Sequence, residues 1–250
     1  MTARYSCKRG ILVGGTCELA LTLAGLLIRR DITPVLTYRN ERGLRTIQET
    51  LAPPEDRYET RRLDFSDRNS LATLFDPDDP SFDFMVDFVQ GDYEALLAAA
   101  DDAAVASFFA ENISFRAALL KRMARSMLRS RRGRLVYISS AAAENPAFGQ
   151  GFYAASKLAS EALYRTIGLE MGEKGLTTVI LRPGYCDAGR GRSFLEKSGD
   201  SLKRIPIGRA LMAQEIAEAV LFLLSDGAVG INGTVITMDG GLASGKGAMR

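Results

Sequence analysis

Short apolar runs alternate with longer stretches of helical periodicity along the whole chain. Residues 11–13 read as a buried strand and 18–30 as a helix with apolar positions nearly all round. The pattern repeats with a strand at 34–38, a polar helix from 41 and a strand at 58–64. Ser66 and Asp67 are placed to cap the helix after it. A turn-rich stretch at 76–80 leads into an apolar run at 82–89, then a long helix at 108–128 and a strand at 134–139. A helix at 152–172, a strand at 177–181, a helix at 213–225 and a strand at 234–237 complete the pattern. With helical stretches between the strands, both faces of the sheet are expected to be covered. Strand–helix alternation of this kind predicts βαβ units and a parallel sheet. The fold class expected is α/β: a three-layer, doubly wound, Rossmann-like parallel sheet. Nothing divides the chain, so 1–250 reads as one domain, with a loose or subunit-contacting tail after Leu242.

Composition narrows the functions this fold can carry. The 250 residues are 46% hydrophobic and 25% charged, as in ordinary globular proteins, and the formal net charge of +2 gives no electrostatic case for nucleic acid. Cys7, Cys17 and Cys186 are odd in number and widely spaced, which suits a reducing, cytoplasmic setting better than a disulfide framework. The absence of histidine removes histidine general bases, Ser-His-Asp and Cys-His triads and HExxH zinc sites, and no metal is expected. Arg4, Lys8 and Arg9 before an apolar stretch at 11–28 imitate a signal peptide. However, Gly14-Gly15-Thr16 divides that stretch, Glu18 interrupts it, and Arg29-Arg30-Asp31 stands where a cleavage site would be. Its apolar part is also shorter than the roughly 20 residues that span a bilayer, so no membrane association is expected.

In a doubly wound sheet, ligands bind beyond the carboxyl ends of the strands. After the first strand stands Gly14-Gly15-Thr16-Cys17-Glu18-Leu19-Ala20. Glycines followed by a helix N-terminus can hold a pyrophosphate, but the spelling is irregular, and a structural Gly-Gly turn explains it about as well. The second strand is followed by Arg39, with no acidic residue from 35 to 40. An acid there would meet a ribose 2′-OH, whereas an arginine accommodates the 2′-phosphate of NADP. Ser139-Ser140 ends the fifth strand, and Tyr153 and Lys157 lie one turn apart on the next helix. A neighbouring ammonium favours phenolate, so Lys157 is expected to lower the pKa of Tyr153 toward working pH. Ser140 can polarise the same carbonyl oxygen.

These residues resemble the short-chain dehydrogenase/reductase family, whose hallmark is Y-x-x-x-K with an upstream Ser and an Asn on the preceding long helix. Tyr153, Lys157, Ser140 and Asn112 stand at the matching places. The resemblance implies that Tyr153 is the general acid/base, Lys157 binds the nicotinamide ribose and tunes Tyr153, and Ser140 holds the substrate oxygen. Asn112 would support a water relaying protons to Lys157. It also implies cofactor contacts from Gly14, Gly15, Thr16, Cys17, Leu19 and Arg39, from Asp64 and Phe65 at the adenine, and from Gln90 and Gly91. Further contacts would come from Tyr153, Lys157, Pro183, Gly184 and Cys186, around NADP(H). Three motifs depart from the family. The glycine turn is irregular, Asp87-Phe88-Val89-Gln90-Gly91 replaces N-N-A-G, and Ala188 stands where a Thr would touch the carboxamide. The C-terminal part, including Ile205-Pro206-Ile207-Gly208-Arg209 and Asp239-Gly240-Gly241, is similar to 3-oxoacyl-[acyl-carrier-protein] reductases.

That resemblance implies an NADPH-dependent reduction of a 3-oxoacyl thioester and a homo-oligomer, with a tetramer expected. Arg131 and Lys174 match residues that receive the acidic carrier protein. The run Arg122, Arg125, Arg129, Arg131, Arg132 and Arg134, and the loop cations Arg190, Arg192, Lys197, Lys203, Arg204 and Arg209, would suit an anionic thioester. The run is read equally well as a solvated helix end. The alternatives are a reductase of a small ketone, an NADP-binding sensor or scaffold without turnover, and a nucleic-acid binder. The last is opposed by the balanced charge.

Overall fold

The structure, a computed structural model, describes residues 3–51, 55–75, 82–197, 202–203 and 205–244. The expected turn at 76–80, Arg204 and residues 245–250 of the tail lie outside them. Seven strands form one sheet in the order β3-β2-β1-β4-β5-β6-β7. They are β1 (Arg9–Val13), β2 (Thr33–Tyr38), β3 (Glu59–Arg62), β4 (Phe84–Asp87), β5 (Gly133–Ile138), β6 (Leu176–Pro183) and β7 (Thr234–Met238). Every pairing is parallel, in registers such as Leu12↔Leu36 and Val86↔Val136. The chain is a single α/β domain of the doubly wound type. Its strand order reverses between β1 and β4, and ligands bind at such a switch point.

The apolar strand runs acquire their meaning here. Along each strand alternate side chains enter opposite layers. Leu12, Leu36, Phe84, Val86, Val136, Val179 and Leu181 face one core, while Ile11, Val13, Val35, Met85, Leu135, Tyr137 and Ile180 face the other. Full burial of each aliphatic side chain contributes roughly 1.5–3 kcal/mol, so the two cores dominate the stabilisation. Helix α1 (Glu18–Ile28) buries Leu21, Leu23, Ala24, Leu26 and Leu27 in the first core, beside α8 (Ala213–Leu223). That sandwiched position explains its signal-like apolar composition.

The long middle helix begins earlier than its periodicity predicts. It comprises α4 (Asp102–Phe109), a π-helical segment (Ala110–Phe115) and α5 (Arg116–Ser130). The Asp101 side chain accepts from the Ala104 N–H at 2.8 Å and caps its start. Among the described residues this is the one helix whose length and composition would allow it to cross a membrane. Its α5 half, though, buries Leu119, Leu120, Met123 and Met127 in the second core. The expected Ser66–Asp67 cap falls short of its helix. α3 is only Ser70–Leu74, with Asn69 at the N-cap position, and Asp67 accepts from the Asn69 N–H in the preceding turn. The remaining helices are α2 (Glu41–Leu51), α6 (Gly151–Met171) and α7 (Gly189–Lys197).

Candidate active site

β5 delivers Ser139 and Ser140 to the carboxyl edge of the sheet, and the first turns of α6 bring Tyr153 and Lys157 beside them. The Ser140 hydroxyl accepts the Ala142 N–H at 3.1 Å and stands close enough to the Tyr153 phenol to favour its phenolate. Lys157 is buried. Its Nζ donates to the Ile138 carbonyl at 2.8 Å and lies 4.9 Å from the Tyr137 ring centroid and 5.8 Å from that of Tyr153. The expected direction of tuning is corrected by this geometry. Burial raises the Tyr153 pKa, and the opposing effect of the Ser140 hydroxyl does not cancel it. Burial and the Arg116 charge push the Lys157 pKa down to about 7. At neutral pH Lys157 is therefore only partly an ammonium.

Asn112 is buried in the π-helical segment. Its Oδ1 accepts the Gly91 N–H at 2.8 Å and its Nδ2 donates to the Phe108 carbonyl at 2.9 Å. The Asn112 carbonyl accepts from the Arg116 guanidinium. Through these contacts Asn112 couples the turn after β4 to the long helix. A π turn at a functional position is a familiar device for aiming one side chain. Gln90, next to Gly91, donates from Nε2 to Ser156 Oγ at 3.0 Å, which leaves its buried Oε1 without a partner among the described residues.

Around the first strand end, Gly14 adopts φ +81°, and its N–H donates to Thr37 Oγ1 at 2.9 Å. A Cβ on Gly14 would stand 3.0 Å from Val89 Cγ2. Two departures from the family pattern therefore fit each other: the bulk of Val89 is seated against the bare Cα of Gly14. Phe88 packs into the first core and Val89 into the second. Thr16 lies against the start of α2, where a Cβ on Gly43 would come within 2.9 Å of it. Cys17 is the N-cap of α1. Burial pushes its thiol up to about 11, against the pull of the Leu19 and Ala20 N–H groups, so it stays protonated and uncharged at this anion-binding position. The Leu19 side chain packs on the first core, which leaves its backbone for any cofactor contact.

Arg39 is 67% exposed at the end of β2, its Nε 3.3 Å from Asp64 Oδ1 and its Nη2 3.4 Å from Ser66 Oγ. The structure joins the two sequence-expected residues Arg39 and Asp64 in one ion pair. Phe65 stacks on Phe115 with centroids 4.4 Å apart. Beyond β6, the Gly184 N–H donates to the Met238 carbonyl at 2.9 Å, Cys186 bridges to Leu211, and Ala188 is buried. The residues fit a nicotinamide dinucleotide. A positive-φ glycine precedes a helix N-terminus, an exposed arginine follows the second strand, and the unpaired Gln90 Oε1 offers an acceptor to a ribose hydroxyl. Among the described residues, no group of three or more His, Cys, Asp or Glu gathers as for a metal ion.

The basic residues divide by burial. Arg134 is not part of a surface run. It is buried, and its guanidinium donates to the Leu223, Ala228 and Ile231 carbonyls and to Thr177 Oγ1. Burial lowers its pKa to about 10. The loop cations are also less available than their number implies. Arg192 pairs with Glu18 and Asp187, Arg190 with Asp92 and Arg209 with Glu215. Arg131 and Lys174 remain exposed and are brought together, because Gly175 (φ +87°) packs its Cα against the Arg131 carbonyl.

Two buried ionic networks escaped the sequence reading. Asp87, at the end of β4, accepts Arg116 Nε at 2.7 Å and the Tyr164 hydroxyl at 3.0 Å. Glu161 on α6 accepts the Ser139 hydroxyl and a two-pronged contact from Arg182. The available signal was a lone charge inside an otherwise apolar run: Asp87 after Phe84-Met85-Val86, and Arg116 between Phe115 and Ala117.

A parallel doubly wound sheet with a Ser–Tyr–Lys constellation at its carboxyl edge defines a Rossmann-like oxidoreductase. Residues 17–243 match the family profile described as "Enoyl-(Acyl carrier protein) reductase". A 3-oxoacyl-[acyl-carrier-protein] reductase of Chlamydia trachomatis is 26% identical over 241 residues, covering 94% of this chain and 97% of the relative. A similarly named reductase of Mycobacterium avium is 37% identical over 126 residues, 50% of this chain and 49% of the relative. A solved structure described as a short chain dehydrogenase/reductase family protein superposes with TM-score 0.83 at 27% identity, covering 94% of this chain and 97% of that one. The chain belongs to the short-chain dehydrogenase/reductase family. It is an oxidoreductase of the ketone–alcohol couple that uses a nicotinamide cofactor.

Proposed function

We propose that this protein reduces the keto group of a 3-oxoacyl thioester, carried by acyl carrier protein or CoA, with NADPH as reductant and Tyr153 as proton donor. The observation that carries the reading is the Ser140–Tyr153–Lys157 arrangement on a strand end and helix, with Lys157 buried and Ser140 and Tyr153 half-buried. A bound dihydronicotinamide supplies the hydride. As charge builds on the keto oxygen, the Tyr153 phenol gives that oxygen a proton from within about 3 Å. The Ser140 hydroxyl donates to the same oxygen, and the protonated form of Lys157 stabilises the phenolate left behind. Asn112 holds the Gly91 turn, and Gln90 lines the cofactor cleft beside Ser156. The NADPH preference rests on Arg39 and on the lack of an acid at the end of β2. It is moderated by Asp64, which shares the guanidinium. The thioester assignment rests on the relatives' names and on the exposed Arg131 and Lys174, since Arg190, Arg192 and Arg209 are paired internally. Cytoplasmic placement agrees with three free cysteines.

The test is NADPH oxidation, followed by absorbance, across acyl carrier protein thioesters, CoA thioesters and simple ketones. The reading expects turnover with 3-oxoacyl thioesters well above that with small ketones. NADPH binding with no oxidation by any of them would contradict it.

A further inference from the structure

The mechanism above uses Lys157 but not the second cation buried beside it. Arg116 is fully buried, and every arm of its fork is engaged. Nε meets Asp87, Nη1 donates to the Asn112 carbonyl and to Ser160 Oγ at 3.1 Å, and Nη2 donates to the Val89 carbonyl. These partners come from the end of β4, the turn after it, the π-helical segment and α6, which are the elements that frame the catalytic residues. Arg116 also shares an aromatic ring with Lys157. Its Cζ lies 5.2 Å from the Tyr137 centroid, and Lys157 Nζ lies 4.9 Å from the same point. Tyr164 stacks on that ring with centroids 4.9 Å apart. Two buried like charges in such proximity disfavour each other's protonation, and only one of them can yield its proton near neutral pH. Arg116, paired with Asp87, does not yield.

We propose that Arg116 is a positioning residue of this active site. Its fork fixes the Val89 and Asn112 carbonyls, and its charge, acting across the Tyr137 ring, sets how readily Lys157 gives up its proton. The other groups facing Lys157 are Tyr153 and Glu161 on its own helix, Tyr137 and the Ile138 carbonyl on β5, Asp87 on β4 and Arg190 at the start of α7. Asp87 and Glu161 oppose Arg116, while burial and Arg190 act with it. The device sets the fraction of Lys157 that is an ammonium near neutral pH without direct contact between Arg116 and substrate. The inference rests on the reading of Lys157 as the partner of Tyr153.

The Lys157 titration that decides the proposal needs neither cofactor nor substrate, so its failure is separate from failure of the proposed reaction. The full-length protein is trace-labelled with acetic anhydride over a pH series, and the peptide carrying Lys157 is quantified by mass spectrometry against the other lysines. Arg116→Met should move the Lys157 midpoint upward by about one unit or more, since a like charge is lost and Asp87 is unmasked. That variant leaves a buried carboxylate unpaired and can fail to fold. The double variant Asp87→Asn/Arg116→Met removes both charges and should still move the midpoint upward. Arg116→Lys keeps the charge but not the fork. It should leave the midpoint within a few tenths of wild type while lowering kcat at every pH, by disordering the carbonyls. A double variant whose Lys157 titrates with the wild type, or an Arg116→Lys midpoint displaced as far as that of Arg116→Met, would overturn the proposal.

Discussion

Lys157 is the residue in which burial and function conflict most directly. Its folded-state pKa is about 7, whereas an unfolded lysine titrates near 10.4. Below pH 7 both states hold the proton, and the folded state bears the full cost of burying it. Between 7 and about 10.4 the folded chain has released a proton that the unfolded chain keeps, so stability rises with pH across that window. Denaturation midpoints measured from pH 6 to 10 should climb less steeply in Lys157→Met than in wild type; parallel curves would count against the depressed pKa. At the opposite end of the cleft, Arg39 is an exposed residue with a charged neighbour. Arg39→Ala should weaken NADPH binding by roughly 1.5–3 kcal/mol, the range for a charge-assisted contact, with the Asp64 pairing holding it toward the lower figure. NADH affinity should change little, and fluorescence titration with both cofactors reads the difference. Equal loss for both would show that Arg39 does not read the 2′-phosphate.

At the level of elements, the joint between the turn after β4 and the π-helical segment is a single side chain. Asn112→Ala removes the acceptor of the Gly91 N–H and frees the Phe108 carbonyl, both in buried surroundings. Leaving buried polar groups unmade costs about 1–3 kcal/mol, so chemical denaturation should show a loss in that range. Amide hydrogen exchange should quicken at Gly91, while exchange in β5 and β6 stays protected; unchanged protection at Gly91 would contradict the joint. These elements also show what a sequence can tell. The identity of β1, β2, β4, β5 and β6 was legible because their runs are largely apolar, and Tyr153 and Lys157 were legible because a fixed helical spacing joins them. The polarity of Tyr153's shift was not, since it depends on burial and on where Nζ points, toward Ile138. The start of α4 at Asp102 was hidden because Asp102-Ala-Ala-Val-Ala lacks a strong apolar stripe. The Asp87–Arg116 pair was hidden because its members are far apart in sequence and meet only when β4 and α5 pack.

For the whole molecule, Phe148, Leu158, Leu169 and Phe222 are exposed apolar side chains, and Phe148 is 100% exposed. The protein is expected to be a homo-oligomer, a tetramer by family resemblance. Light scattering at micromolar concentration should give a mass several times 27.2 kDa, and a monomer would contradict it. The Arg131–Lys174 surface is expected to serve an acidic carrier. Arg131→Glu/Lys174→Glu should raise KM for a carrier-protein thioester and leave the CoA thioester unaffected, because rim charges act mainly on encounter. An equal effect on both substrates would remove the docking role.

The most direct measurement is single-turnover and steady-state reduction of a 3-oxoacyl thioester by Tyr153→Phe. The substitution removes one hydroxyl and leaves the ring packed, so NADPH binding and thermal stability should stay close to wild type. kcat should fall by roughly 10²–10⁴-fold, as for loss of a positioned acid. A Tyr153→Phe protein that reduces the thioester at the wild-type rate would contradict the account.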